Sequence, residues 1–388
     1  MQNSNTPLVK ELVLIGGGHA HVAVLRSFGM KPLPGLRITL ITRDIHTPYS
    51  GMLPGYIAGH YTYDECHIDL GPLARFAGAR LYHLEVEGLD LKNRKIHVAG
   101  RPSIGYDLLS INTGSRPGMA NVPGVAQYAL AAKPIDIFLE RWEKLQRKIL
   151  AGSGAFNLAV VGGGAGGVEL ALACQYRLQL LLKQQGDDPA RLNITLLTQG
   201  EEILATHNVG VRKRFMRVFE QRNIAIRFDH KVFEVTETHV LAEGKTALPA
   251  NAVIWVTSAS APSWPGAAGL AVDSAGFIRV DSQLQSISHP GLFVVGDVAA
   301  LPDPRPKSGV FAVRQGPVLS DNLRRAATGQ PLTTYRPQRD FLGLISTGDR
   351  YAVASRGNLS LQGAWLWQLK NWIDQRFMRR FNQLPEKR

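Results

Sequence analysis

Cysteine is scarce. Cys66 and Cys174 are the only two in 388 residues, and their spacing forms neither a C-x-x-C nor a C-x4-C pair. That excludes a disulfide framework and a dithiol redox centre, and it fits a reducing compartment. Cys174 falls within the apolar run "ELALACQYRL" and reads as core filler. Long apolar runs are absent as well: no uncharged stretch approaches the roughly 20 residues that span a bilayer. The polar start "MQNSNTP" lacks the basic and apolar blocks of a secretory signal. The expected location is the cytoplasm, either free or held at the inner face of the membrane. Acidic residues are outnumbered, 31 against 44 Lys and Arg, for a net charge of +13. This excess suits an anionic partner such as a phosphorylated cofactor, a nucleic acid or an acidic membrane. Helix-turn-helix, zinc and aromatic-sheet signatures are missing, so no nucleic acid is expected. The eleven histidines show no H-E-x-x-H or paired Cys/His spacing, so no metal is expected either, and His46 and His60 face no obvious ligand partners.

Glycine is abundant, and it is patterned. "LVLIGGGHAHV" (12–22) and "LAVVGGGAGGV" (158–168) each run an apolar strand through glycines into a helix. "RITLITRD" (37–44) follows the first and "NITLLTQG" (193–200) follows the second, so the chain carries two βαβ units. In the second loop Gly162, Gly164 and Gly167 satisfy G-x-G-x-x-G in the right context. The glycines allow a tight turn and close approach to a pyrophosphate, and the helix N-terminus adds positive charge. The first loop keeps Gly16 and Gly18 but has His21 at the third position. Phosphate binding should survive, with His19 and Ala20, which open the helix, counted among the cofactor-binding positions. His21 reads as a packed, hydrogen-bonded side chain, with cofactor contact as the alternative.

Two later segments complete the pattern. "SINTGSRPG" puts Thr113 and Gly114 after a strand, and "VVGDVA" puts Gly296 and Asp297 at another strand end, where the carboxylate can accept cofactor hydroxyls. The expected architecture is α/β with two Rossmann-like domains, the first interrupted by the second. Its divisions are 1–118 and 266–335 for the first domain, 119–265 for the second, and 336–388 for a C-terminal α/β tail with an amphipathic helix. In that helix (363–384) Leu366, Leu369, Ile373, Phe377, Phe381 and Leu384 form one stripe bordered by Trp365 and Trp372, with Lys370, Arg376, Arg379 and Arg380 supplying charge. Lys370 and Arg380 lie close enough to the stripe to have to snorkel. A membrane surface, an intramolecular contact and a homodimer interface all fit such a helix.

Four motifs in this order resemble the FAD- and NAD(P)-dependent pyridine nucleotide-disulfide oxidoreductase superfamily, over residues 10 to 330. The tail "FLGLISTGDRYAVASRGNLSLQGAWLWQLKNWIDQRF" is similar to that of type II NADH:quinone oxidoreductases. "GGGHAHV", "PYSGMLPG" and "LKNWIDQRFMRRF" resemble the oxidoreductase module found fused to selenide, water dikinase. No cysteine follows Cys174, which argues against sulfide:quinone oxidoreductases. The resemblance implies FAD on the first domain, NADH or NADPH on the second, and a quinone-like acceptor. A selenium- or sulfur-related acceptor and a non-catalytic redox sensor are the alternatives.

It further implies that Asp297 holds the ribityl chain and that Glu169 reaches toward the nicotinamide. The motif position equivalent to alanine is Asn112. The amides of Val310 and Phe311, at a helix N-terminus, are expected at the flavin pyrimidine end. Arg314 and Gln315 stand where the quinone-reducing enzymes carry a glutamine-rich run. "PYSGMLPGYIAGH" (48–60) looks like an irregular flavin-covering loop, with Pro48, Tyr49 and Met52 toward the ring. The acid expected at the second strand end is Thr42 in one unit and Thr198 in the other; Asp44 is the substitute for FAD, and NADH against NADPH stays open.

Overall fold

The computed structural model describes residues 9–117, 122–257, 259–338 and 341–386. Two five-stranded parallel sheets dominate it. The first runs, in spatial order, Leu292–Val294, Leu108–Ile111, Lys10–Ile15, Leu36–Thr42 and Arg80–His83. The second runs Ala129–Ala131, Ala252–Trp255, Phe156–Val161, Leu192–Leu197 and Ala225–Arg227. Helices cover one face of each sheet, and a small three-stranded antiparallel sheet covers the other, Val86–Asp90, Lys95–Val98 and Ile104–Gly105 on the first and Val232–Val235, His239–Ala242 and Leu248–Pro249 on the second. That is why the central strands are apolar almost throughout: Leu12, Val13 and Leu14 are fully buried, as is Val160 in the matching strand. Register is in step as well, Leu12 opposite Ile38 in one sheet and Leu158 opposite Ile194 in the other.

Each sheet winds outward in both directions from its glycine-loop strand. Loops at the carboxyl ends therefore part at that strand and leave a crevice, the usual ligand position in open α/β sheets. The two crossings between the domains run side by side, with Arg116 opposite Ser260 and Pro117 opposite Ala259. The expected boundary between 118 and 119 lies outside the described residues, as do the first eight residues with their "MQNSNTP" segment.

The tail is a three-stranded antiparallel meander, Gly343–Ser346, Ala352–Arg356 and Leu359–Gly363, followed by helix Ala364–Asn382. Its packing corrects the surface-stripe expectation in part. Leu366, Met378 and Phe381 are buried, Phe377 and Leu384 pack on the first domain, and Leu369 packs on the meander. Lys370 does not snorkel: it is buried, donating to Asp374 Oδ2 at 2.6 Å and to the Gly51 carbonyl at 2.6 Å. A buried charge needs such partners, and the i,i+4 spacing supplies one on the same face. Trp365, Trp372 and Ile373 remain exposed. Among the described residues no helix is long and apolar enough to cross a membrane.

The covering loop is also corrected. It contains a helical turn, Leu53–Ile57, with Pro54 near its start where no amide is missed. Met52 is fully buried in the first-domain core and does not face the cavity. Cys174 is fully buried in the second-domain core, and burial pushes its thiol well above the usual range.

Candidate functional site

Both crevices open into one cavity of about 1960 Å³, well beyond the several hundred cubic ångströms that a single small ligand fills. The first glycine loop forms its floor. Gly16 has φ +90°, and a Cβ there would lie 2.5 Å from the Asn112 carbonyl oxygen. At Gly18 it would lie 2.3 Å from Asn112 Oδ1. The loop is thus pressed onto Asn112, whose amide is a junction: Oδ1 accepts from the Ala20 and His21 amides at 3.2 and 3.3 Å, and Nδ2 donates to the Val295 carbonyl at 3.0 Å. An alanine here could bind neither strand nor helix.

The same junction settles His21. In the second loop a Cβ on Gly167 would come 1.8 Å from the Gly162 carbonyl oxygen, so the helix can approach only without a side chain. In the first loop His21 Nδ1 bonds the corresponding carbonyl, that of Gly16, at 2.6 Å, and Nε2 meets Ser110 Oγ at 2.8 Å. Because a carbonyl only accepts, Nδ1 carries the proton and Nε2 accepts from the serine. Burial holds the ring's pKa down at about 4, so it is neutral.

His19 differs. Its ring borders the cavity beside Tyr49, and its Nε2 is enclosed with no partner. Burial lowers its pKa to about 4, with the nearby Asp297 opposing. A polar ring atom left without a partner beside a cavity calls for a ligand. Asp44, Pro48, Thr113, Gly114, Gly296, Asp297, Val310 and Arg314 line the same space. A Cβ on Gly114 or on Gly164 would meet nothing within 4 Å, so backbone stands open to a ligand at both. These features fit a flavin dinucleotide. The second loop reaches the cavity through Ala165, Gly166 and Glu169, while Gly162 and Gly167 serve the turn beneath.

Three expected residues face elsewhere. Ala20 is fully buried, with its amide engaged by Asn112. The Phe311 amide donates to the Ser308 carbonyl at 3.2 Å, and its ring packs edge-on against Phe341, so of the two amides named only that of Val310 belongs to a cavity residue. Gln315 is buried under the Gly296 turn, accepting from the Gly296 amide at 2.6 Å; it holds the turn and does not line the cavity. Helical spacing explains this, because Arg314 and Gln315 cannot share a face.

Glu169 and Tyr49, both expected at the site, do border the cavity; sequence reasoning missed Asp374, Lys133, Lys307 and His207 beside them. Glu169 Oε1 accepts from the Ser346 amide at 2.7 Å, and burial pushes its carboxyl up to about 7 against the pull of Lys370. Tyr49 stacks on Phe377 at 4.5 Å, and burial with the neighbouring Asp374 pushes its phenol far above its usual range. Lys133, Lys307 and His207 also line the cavity, His207 bonded to Ser355 Oγ at 3.0 Å. A helical wheel pairs Lys370 with Asp374, but nothing local brings them to Glu169.

Two parallel nucleotide-binding sheets around one cavity, with a strand-end aspartate and two glycine loops, define a two-dinucleotide-binding oxidoreductase. The chain matches the pyridine nucleotide-disulphide oxidoreductase family over residues 10–316, and it belongs to that family. A demethylphylloquinone reductase from Synechocystis is 26% identical over 300 residues, 74% of this chain and 71% of that protein. An oxidoreductase from Pestalotiopsis fici is 25% identical over 378 residues, 92% and 94% of the two chains. Among solved structures, the sulfide:quinone oxidoreductase of Aquifex aeolicus superposes with a TM-score of 0.82 at 20% identity, over 97% of this chain and 92% of that one. An NDH2 from Plasmodium falciparum in complex with NADH gives 0.78 at 16%, over 97% and 99%. These two show the fold.

Proposed function

We propose that this protein is an FAD-dependent NAD(P)H dehydrogenase that passes electrons to a quinone. The observation that carries the reading is the single cavity, which brings the first glycine loop and Asp297 together with Glu169 of the second domain. Relatives named as a demethylphylloquinone reductase and an NAD(P)H-ubiquinone oxidoreductase support it. FAD held in this cavity would supply the hydride and electron chemistry that links a nicotinamide to a quinone.

The chain's own residues orient and balance charge. Gly16, Gly18, Thr113 and Gly114 allow backbone to approach the dinucleotide, and Asp297 accepts from its hydroxyls. Gly162, Gly164 and Gly167 shape the second loop for the pyridine nucleotide. The helix Gly309–Thr328 presents its positive end, at Val310, to the cavity, and Arg314 adds a cation there. Both favour negative charge on reduced flavin. Glu169, titrating near neutrality, can hold or release at its carboxyl oxygen the proton that quinone reduction consumes.

Trp365 and Trp372 on the C-terminal helix and Leu359 and Leu361 on the adjoining strand are exposed apolar residues, whereas Ile373 lines the cavity. Arg376 lies over the Trp372 ring. Aromatic residues with cations suit the headgroup region, which supports peripheral membrane attachment through residues 363–384.

The test is anaerobic. The purified yellow protein is titrated with NADH or NADPH, then with a soluble quinone. Bleaching followed by reoxidation is the expected result. Bleaching without quinone turnover would move the function to a soluble reductase with another acceptor. Failure of either nucleotide to bleach the flavin would sink the reading.

A further inference from the structure

Lys133 belongs to the second domain: it follows strand Ala129–Ala131 and precedes helix Ile135–Ala151. Its ammonium nevertheless reaches the first domain. Nζ lies 2.9 Å from Asp297 Oδ2 and 3.2 Å from Ser115 Oγ, and the serine hydroxyl is itself 3.2 Å from the same carboxylate oxygen. Three residues thus meet at one oxygen atom. The Asp297 side chain is only 14% exposed, whereas that of Lys133 is 42% exposed.

A second ion pair crosses beside it, Arg43 Nη2 to Asp136 at 3.6 Å, so this segment is tied to the first domain again three residues after Lys133. Both pairs border the cavity.

The chemistry of Asp297 calls for such a partner. A dinucleotide filling the cavity removes water from this carboxylate, and a desolvated charge is costly unless it is compensated. Reduced flavin brings further negative charge to the same space. Lysine and serine, both on Oδ2, neutralise the carboxylate and fix its orientation, while among the described residues Oδ1 keeps its lone pairs for a flavin hydroxyl.

We propose that Lys133 is a positioning residue of the flavin site contributed by the second domain, acting through Asp297 to tighten FAD binding and to favour the reduced cofactor. The proposal rests on the FAD reading of the cavity. Both domains then build the flavin site.

The experiment uses the full-length protein stripped of cofactor and reconstituted with FAD. Flavin fluorescence gives the dissociation constant, and dye equilibration gives the midpoint potential. Lys133→Met is expected to weaken FAD at least tenfold. Reduced FAD should weaken a further tenfold relative to oxidised, a shift of about 30 mV to more negative potential for a two-electron couple. Lys133→Arg, which keeps the charge, should restore both to within about twofold. In an Asp297→Asn background the same Lys133→Met change should leave the potential where it was, because the carboxylate it acts on is gone. A merely structural lysine would lower thermal stability without moving the potential. Unchanged affinity and potential in Lys133→Met overturn the proposal, and so does an equal shift in the Asp297→Asn background. Wild-type protein that takes up no FAD would instead remove the functional reading itself, which separates the two failures. Lys133→Gln serves as the second variant if the methionine form misfolds.

Discussion

Replacing Glu169 by glutamine tests the charge balance of the cavity wall. Burial lifts this carboxyl from 4.5 to about 7 in the folded protein, and Lys370 and the Ser346 amide only partly oppose it. The sign follows from proton counting. Below about pH 4.5 folded and unfolded chains both hold the proton, so nothing is lost. As pH rises toward 7 the unfolded chain ionises first, and stability falls until the folded carboxyl has ionised too. At 1.36 kcal/mol per pKa step the displacement is worth about 3 kcal/mol, an upper bound because cavity water solvates the carboxylate.

Glutamine is neutral at every pH, and its Oε1 can still accept from the Ser346 amide. Urea unfolding of wild type and Glu169→Gln across pH 4.5 to 8 should show the variant gaining on wild type as pH rises, by roughly 2–3 kcal/mol over the series. Quinone turnover should fall by about 100-fold, the scale of a lost general acid, while flavin bleaching by the nucleotide is retained. Stability curves that run parallel through this window would refute a neutral folded Glu169.

Other substitutions separate the two nucleotide sites. Asn112→Ala should cost about 2–4 kcal/mol by stranding two amides and a carbonyl, read as a lower thermal midpoint with FAD released at lower temperature. Gly167→Ala places a Cβ 1.8 Å from the Gly162 carbonyl and should raise the KM for the pyridine nucleotide at least tenfold with FAD content unchanged. Replacing Trp365 and Trp372 together by serine should reduce co-sedimentation with anionic vesicles at least fivefold, with soluble-quinone activity intact.

Much of the fold was legible because glycine loops and apolar strands are local signals. Residues 12–22 and 158–168 declare strand, turn and helix from composition alone, and "VVGDVA" declares a strand end. What escaped depends on where chains cross. Gln315 and Phe311 sit next to cavity residues in sequence but turn away from the cavity, Gln315 under the Gly296 turn and Phe311 against Phe341, a distinction that helical phase decides only once the helix is docked. Lys133 and Asp297 are 164 residues apart and meet because the inserted domain returns its first turn to the first domain's floor. Asn112 looked like a departure from the family pattern. The structure makes it the support for His21, a second departure, and the two are intelligible only together. The tail's stripe was read correctly as amphipathic, but its lysine was taken for a surface charge because Asp374 was not counted as its partner.

The paired loops solve one spacing problem with unlike materials. In the second, clearance comes from an atom that is missing, and no change of solvent can take that away. In the first, it comes from a neutral imidazole whose folded pKa of about 4 lies below its ordinary 6.5. Acid in that interval draws protons onto the unfolded chain and so works against the loop that carries His21, whereas the second loop has no titrating side chain at the matching position, Gly167.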